Sequence, residues 1–154
     1  MKTTLLSTAL ILAVASTACS HKKVINSEET KMTKNDLVVI DADWVKDKGK
    51  RYDVQLKVKN VSDNDIIILL NDMQCFKGTS QGVLKHTFFN TGERTIDFRK
   101  GQLKSMRMVC TIGEKTDGDD RIVVGRIFDN PNADGATRGK VLGQNIEWKY
   151  SGSN

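Results

Sequence analysis

The chain has 154 residues, 24 Lys and Arg against 19 Asp and Glu, and a net charge of +5 at pH 7. That length suits one domain with a real core. The charge is small and dispersed, gives only modest attraction to polyanions, and does not argue for a nucleic-acid binder. Three cysteines and two distant histidines lack zinc-ligand spacing, and no C-x-x-C pair is present for redox work.

In chain order, Lys2 is the only charge before His21, and from Leu5 to Ala15 the chain is apolar apart from Ser7 and Thr8. This stretch is about half of the roughly 20 residues that a membrane-crossing helix needs. Its layout is that of an export signal: charged start, short apolar core, then small residues (Ser16, Thr17, Ala18) before a cut. Cys19 follows directly and the chain turns polar. Cleavage after Ala18 by an ordinary signal peptidase, leaving an unlipidated Cys19, is the alternative.

The pair Ala18-Cys19 resembles the lipobox of bacterial lipoproteins, with Ser16 where that family usually has leucine. The resemblance implies diacylglycerol on the Cys19 thiol, removal of residues 1–18, and a protein held in the membrane by its N-terminal lipid. Each buried methylene contributes about 0.8 kcal/mol, so two or three acyl chains anchor firmly where one does not. Ser20 stands where an aspartate marks inner-membrane retention in enteric lipoproteins. The implied address is therefore the outer membrane, facing the periplasm or the cell surface.

Residues 19–35 read as the lipidated residue and a flexible polar tether, spanning roughly 20–25 Å as a random coil. A short helix from Ser27 to Lys34, capped by Ser27, is the other reading. Residues 36–150 form the domain, and 151–154 a tail. Arg51–Asn60 alternates with period two: Tyr52, Val54, Leu56 and Val58 on one face, Arg51, Asp53, Gln55, Lys57 and Lys59 on the other. That pattern predicts a half-buried strand.

Further strands are predicted at 36–45, 66–70 (continuing toward Cys75), 86–90, 94–99, 103–112, 121–128 and 145–150. Turns fall at Lys48-Gly49, Lys77-Gly78, Asn90-Thr91-Gly92, Asp117-Gly118 and Asp134-Gly135. About seven or eight antiparallel strands predict an all-β sandwich, with a small β-barrel as runner-up. The stretch YDVQLKVKNVSDNDIII resembles the strand–turn–strand of bacterial Ig-like envelope domains. No tryptophan lies between Cys75 and Cys110, so the likeness extends to architecture alone.

With Cys19 lipidated, Cys75 and Cys110 are an even pair in an oxidising compartment and are expected to form a disulfide. The alternative is two buried thiols. Such a bridge closes a loop of about 35 residues and contributes roughly 3–4 kcal/mol. Both cysteines share parity with apolar neighbours, as a bridge between sheets requires.

Two basic clusters, Lys57 with Lys59 and Arg99, Lys100, Lys104 with Arg107, could face an anionic surface; the plainer reading is solvated strand faces. Asn130, Asn132 and Asp134 alternate before Gly135 like the start of a calcium loop, but Val141 stands where the bidentate glutamate belongs, so an ordinary turn is expected. Residues 117–120 read as a solvated acidic turn. His86 has no nucleophile motif around it. No catalytic residues and no cofactor are expected. The sequence therefore predicts a non-enzymatic, membrane-anchored binding or structural module with an envelope protein as partner. A polyanion- or ligand-binding domain, or an inhibitor of a host enzyme, is the alternative, and a hydrolase using His86 ranks last.

Overall fold

A computed structural model describes residues 33–86, 95–133 and 137–152, and among these described residues there are twelve strands. They are β1 (Thr33–Lys34), β2 (Val38–Asp47), β3 (Arg51–Asn60), β4 (Ile66–Leu69), β5 (Gln74–Lys77) and β6 (Ser80–His86). The second half adds β7 (Thr95–Phe98), β8 (Leu103–Thr111), β9 (Asp120–Val124), β10 (Ile127–Asp129), β11 (Val141–Gly143) and β12 (Ile146–Tyr150). All pair antiparallel, in an eight-stranded sheet of order β1-β2-β3-β8-β6-β5-β9-β12 and a four-stranded sheet of order β11-β10-β4-β7. The all-β, two-sheet architecture is the one expected. The larger sheet also curls towards a barrel: its edges meet where the Thr33 hydroxyl donates to the Glu147 carbonyl at 2.6 Å.

Alternation explains the core. Tyr52, Val54, Leu56 and Val58 are all fully buried, and Met106, Met108, Cys110 and Ile112 of the neighbouring β8 segment face the same interior. In β2 the inward series runs Val38, Ile40, Ala42 and then Val45. The step of three is a β-bulge at Ala42/Trp44, which leaves Asp43 and Trp44 both outside the core.

The strand count exceeds the seven or eight expected because predicted runs break where the chain changes sheets. Residues 121–128 are two strands, β9 in the large sheet and β10 in the small one. Between them Gly125 passes so close to the Asp72 backbone that a Cβ would lie 2.5 Å from the Asp72 oxygen. The run from Ile66 to Cys75 breaks at the same corner, through a 3-10 turn at Leu70–Asp72. Arg126 and Asp72 pair there at 2.7 Å.

The strand β6 is not legible as a strand, with Gly82 at its centre. Of the predicted strand 86–90 only His86 is described; the turn 90–92 and Asp134-Gly135 also lie outside the described residues. The sheet takes in residues before Asp36: β1 pairs with Val39 and Ile40, so Thr33–Lys34 belongs to the sheet and not to the tether, and is a strand rather than the end of a helix.

Candidate functional site

The disulfide forms, Cys75 to Cys110, but not between sheets as their parity suggested. Both cysteines belong to the large sheet, with β6 between their strands. In a flat sheet two strands apart means about 9.6 Å, whereas these Cα atoms are 6.0 Å apart. The bridge therefore spans the concave side of a sharply curved sheet and passes over Gly82, the residue paired with Cys75. A Cβ at Gly82 would lie 2.6 Å from the Cys110 sulfur, so β6 fits under the bridge only because this position has no side chain.

Beside the bridge an open cleft of about 410 Å³ is lined by Leu70, Met73, Leu84 and His86 together with the amides of Asn71, Gln74 and Gln81. The described lining holds no carboxylate or hydroxyl, and His86 Nδ1 is buried without a hydrogen-bond partner. The geometry brings no acid or nucleophile to His86 among the described residues.

The basic clusters are rearranged by the fold. Register places Lys57 and Lys59 opposite Ser105 and Leu103, and Gln55 opposite Arg107, so Lys57, Lys59 and Arg107 share the outer face of the large sheet. Lys104 has the opposite parity, packs over the Phe98 ring and pairs with Asp97 at 3.3 Å. Arg99 and Lys100 sit at the turn before β8, where Lys100 reaches Asp63 at 2.7 Å. Lys57 is paired with Asp43, the bulge residue, which holds its pKa above the usual lysine range. Arg107 lies over the Trp44 ring and 3.8 Å from Asp53. The six residues thus do not lie on one face.

Two buried ionic groups escaped the sequence reading. Asp53, on the outer face, is only 3% exposed. Arg51 donates to it at 2.7 Å and Lys48 at 3.3 Å. Burial pushes its carboxyl up, but the bonds to Arg51 and Lys48 outweigh this and hold it below the usual range. The second group closes one end of the large sheet. Lys77 Nζ donates to Asp120 at 3.0 Å and to Asp47 at 2.5 Å, and the buried Tyr52 hydroxyl donates to the Arg121 carbonyl at 2.7 Å nearby in sequence.

Burial drives the Asp120 carboxyl up to about 6 in spite of Lys77. Burial opposes the Lys77 charge as well, yet its bonds to Asp47 and Asp120 keep its pKa above the ordinary value. Asp120 is therefore not part of a solvated turn. The missed clue is that Asp120 opens the apolar alternation of β9, and that Lys77 directly precedes a Gly at φ 54°.

Asn130 is buried, its carbonyl accepts from Ala133 N–H at 3.1 Å, and Ala133 has φ 51°. This is the expected turn. Asn132 is exposed, and Asp134 lies outside the described residues. No cluster of three or more His, Cys, Asp or Glu suited to a metal occurs among the described residues. Cys19 and His21 lie outside them too.

The class these features define is an all-β, two-sheet domain held by one disulfide. No protein-family model and no curated protein matches the chain. Among solved structures, that of "a putative lipoprotein (ycdA)" from Bacillus subtilis is similar, with a TM-score of 0.51 at 11% identity over 82% of this chain. The likeness is one of fold, and this chain covers 39% of that protein's length.

Proposed function

We infer that the protein is a lipid-anchored, non-enzymatic lipoprotein of the bacterial cell envelope whose β domain binds another envelope protein. The observation that carries the reading is Cys19, placed directly after Ala18 at the end of a short apolar stretch. The fold likeness to a protein described as a lipoprotein supports it. So does the disulfide, which belongs to an oxidising compartment. The carboxylates with displaced pKa values, Asp53, Asp63, Asp72, Asp119 and Asp120, are each tied to a basic side chain, which is structural work rather than acid–base chemistry. Ser20 after the acylated residue favours the outer membrane.

The test is the intact mass of the mature protein taken from membranes, with and without reductant. The expected chain starts at Cys19, carries diacylglycerol and an acyl group, and gains the mass of about two hydrogens on reduction. An unmodified chain starting at Cys19 means a secreted protein without an anchor. Crosslinking in intact cells that returns no reproducible protein neighbour would remove the partner part of the reading.

A further inference from the structure

We propose that the outer face of β2, β3, β8 and β6 lies against the anionic phospholipid surface of the membrane that carries the anchor, and so fixes the orientation of the domain. The proposal rests on the lipid-anchor reading for its biological setting, but its physical basis is separate.

Register sets the composition of this face. Lys46, Arg51, Lys57, Lys59, Lys85 and Arg107 all point outward from these four strands, against Asp41, Asp43 and Asp53. The excess of three positive charges is a large share of the chain's +5. Lys46, Lys59 and Lys85 have no acidic partner among the described residues, and Lys59 and Lys85 are exposed. The outward side of β5, β9 and β12 differs: its cations Arg121 and Lys149 are closed off by Glu147 at 3.2 Å and Asp119 at 2.5 Å.

The basic face also carries two of the most exposed aliphatic side chains, Leu103 at 53% and Val83 at 63%. Leu103 is paired with Lys59, and Val83 lies beside Thr111, the partner of Arg51. Apolar contacts therefore stand at both ends, about 26 Å apart along the strands, with cations between. Cations that meet headgroups and aliphatics that enter the interface are the ingredients of binding to an anionic bilayer.

The attachment geometry agrees. The first described strand, β1 from Thr33, flanks β2 at the edge of this face. The fourteen peptide steps from Cys19 to Thr33 cannot exceed about 50 Å. The domain is thus confined close to the bilayer. Acyl chains already supply the anchoring, so the face needs only enough affinity to choose one orientation.

The experiment uses the chain from Ser20 onward. It contains every strand of both sheets and lacks the apolar signal and the anchor, each of which would bind lipid by itself. Folding is checked by circular dichroism and by the mass of the oxidised disulfide. Sedimentation is measured with vesicles of phosphatidylethanolamine containing about 30% phosphatidylglycerol, and with pure phosphatidylcholine, at rising salt.

Binding to the anionic vesicles alone, fading as salt screens it, is expected. Each cation near such a surface contributes about fivefold, so the Lys59→Glu/Lys85→Glu double variant should lose at least about 25-fold. Leu103→Ser should weaken binding at every salt concentration. Arg138→Glu/Lys140→Glu carries the same net charge change at two exposed residues beside β10 and β11 of the small sheet and should lose far less. Equal losses from the two double variants, or no salt-dependent binding, overturn the proposal. An unacylated native protein would instead overturn the anchor reading and leave the vesicle result intact.

Discussion

Asp120 is a carboxylate at 2% exposure that accepts a hydrogen bond from the Lys77 ammonium. Its proton therefore stays on to about pH 6 in the folded protein, against 3.8 in the unfolded chain. A raised acid pKa contributes stability that is fully present below pH 3.8 and lost as pH rises through 6. The shift corresponds to roughly 3 kcal/mol. The depressed carboxylates Asp53, Asp63, Asp72 and Asp119 act in a different window, losing stability as pH falls below about 4. Urea midpoints should therefore decline from pH 4 to pH 6.5, and Asp120→Asn should flatten that decline. A wild-type midpoint that rises through this window would show that Asp120 ionises normally. Gly82 is the second residue with a defined load. Its Cβ would meet the Cys110 sulfur and Ile112 Cδ1 at 2.6 Å and the Thr111 carbonyl at 2.9 Å. The isoleucine tip can move, whereas the bridged sulfur and the backbone cannot. Gly82→Ala should therefore cost about 1–3 kcal/mol in denaturant unfolding, more than the few tenths it gains by stiffening the unfolded chain.

At the scale of elements, the disulfide holds β5 and β8 closer than strand spacing alone would. The Cys75→Ala/Cys110→Ala variant should lose about 3–4 kcal/mol by the loop-entropy estimate. The curvature adds a second expectation. Amides of β6, which runs under the bridge, should lose hydrogen-exchange protection more than those of β2, which is separated from it by β8 and β3. Uniform loss across both strands would mean the bridge acts only on the unfolded chain. The strand β3 was readable to the residue because period-two alternation with β-branched and aromatic side chains has one interpretation. The strand β6 was not, since Gly82 serves a neighbour's sulfur rather than its own strand's pattern. Residues 121–128 read as one strand because the corner that divides them is made by Asp72, about fifty residues away, pressing on Gly125. Pairing partners, and so which sheet a run joins, are non-local facts that a local pattern does not carry.

At the scale of the whole molecule, the same non-locality decides what was legible of the site. The cysteine pair followed from a count, but its position within one sheet depended on which strand lies between β5 and β8. The basic residues were visible, yet their grouping was not, because Lys104 and Arg107 lie on opposite faces of one strand and the bulge at Ala42/Trp44 brings Asp43 to Lys57. The N-terminal boundary makes the point testable. Asp36 marks the onset of apolar alternation, but the fold engages the chain from Thr33. The Asn35 side-chain oxygen accepts from the amides of Leu37 at 2.9 Å and Val38 at 2.7 Å, setting the turn into β2. The Thr33 hydroxyl reaches Glu147 on the far edge of the sheet. Each such hydrogen bond contributes about 0.5–1.5 kcal/mol net. A chain beginning at Asp36 loses all three and exposes the edge of β2. It should therefore unfold about 2–3 kcal/mol more easily than a chain beginning at Thr33, measured by urea titration of both. Equal midpoints would mean that β1 adds nothing to the fold and that the large sheet is held without the meeting of its edges.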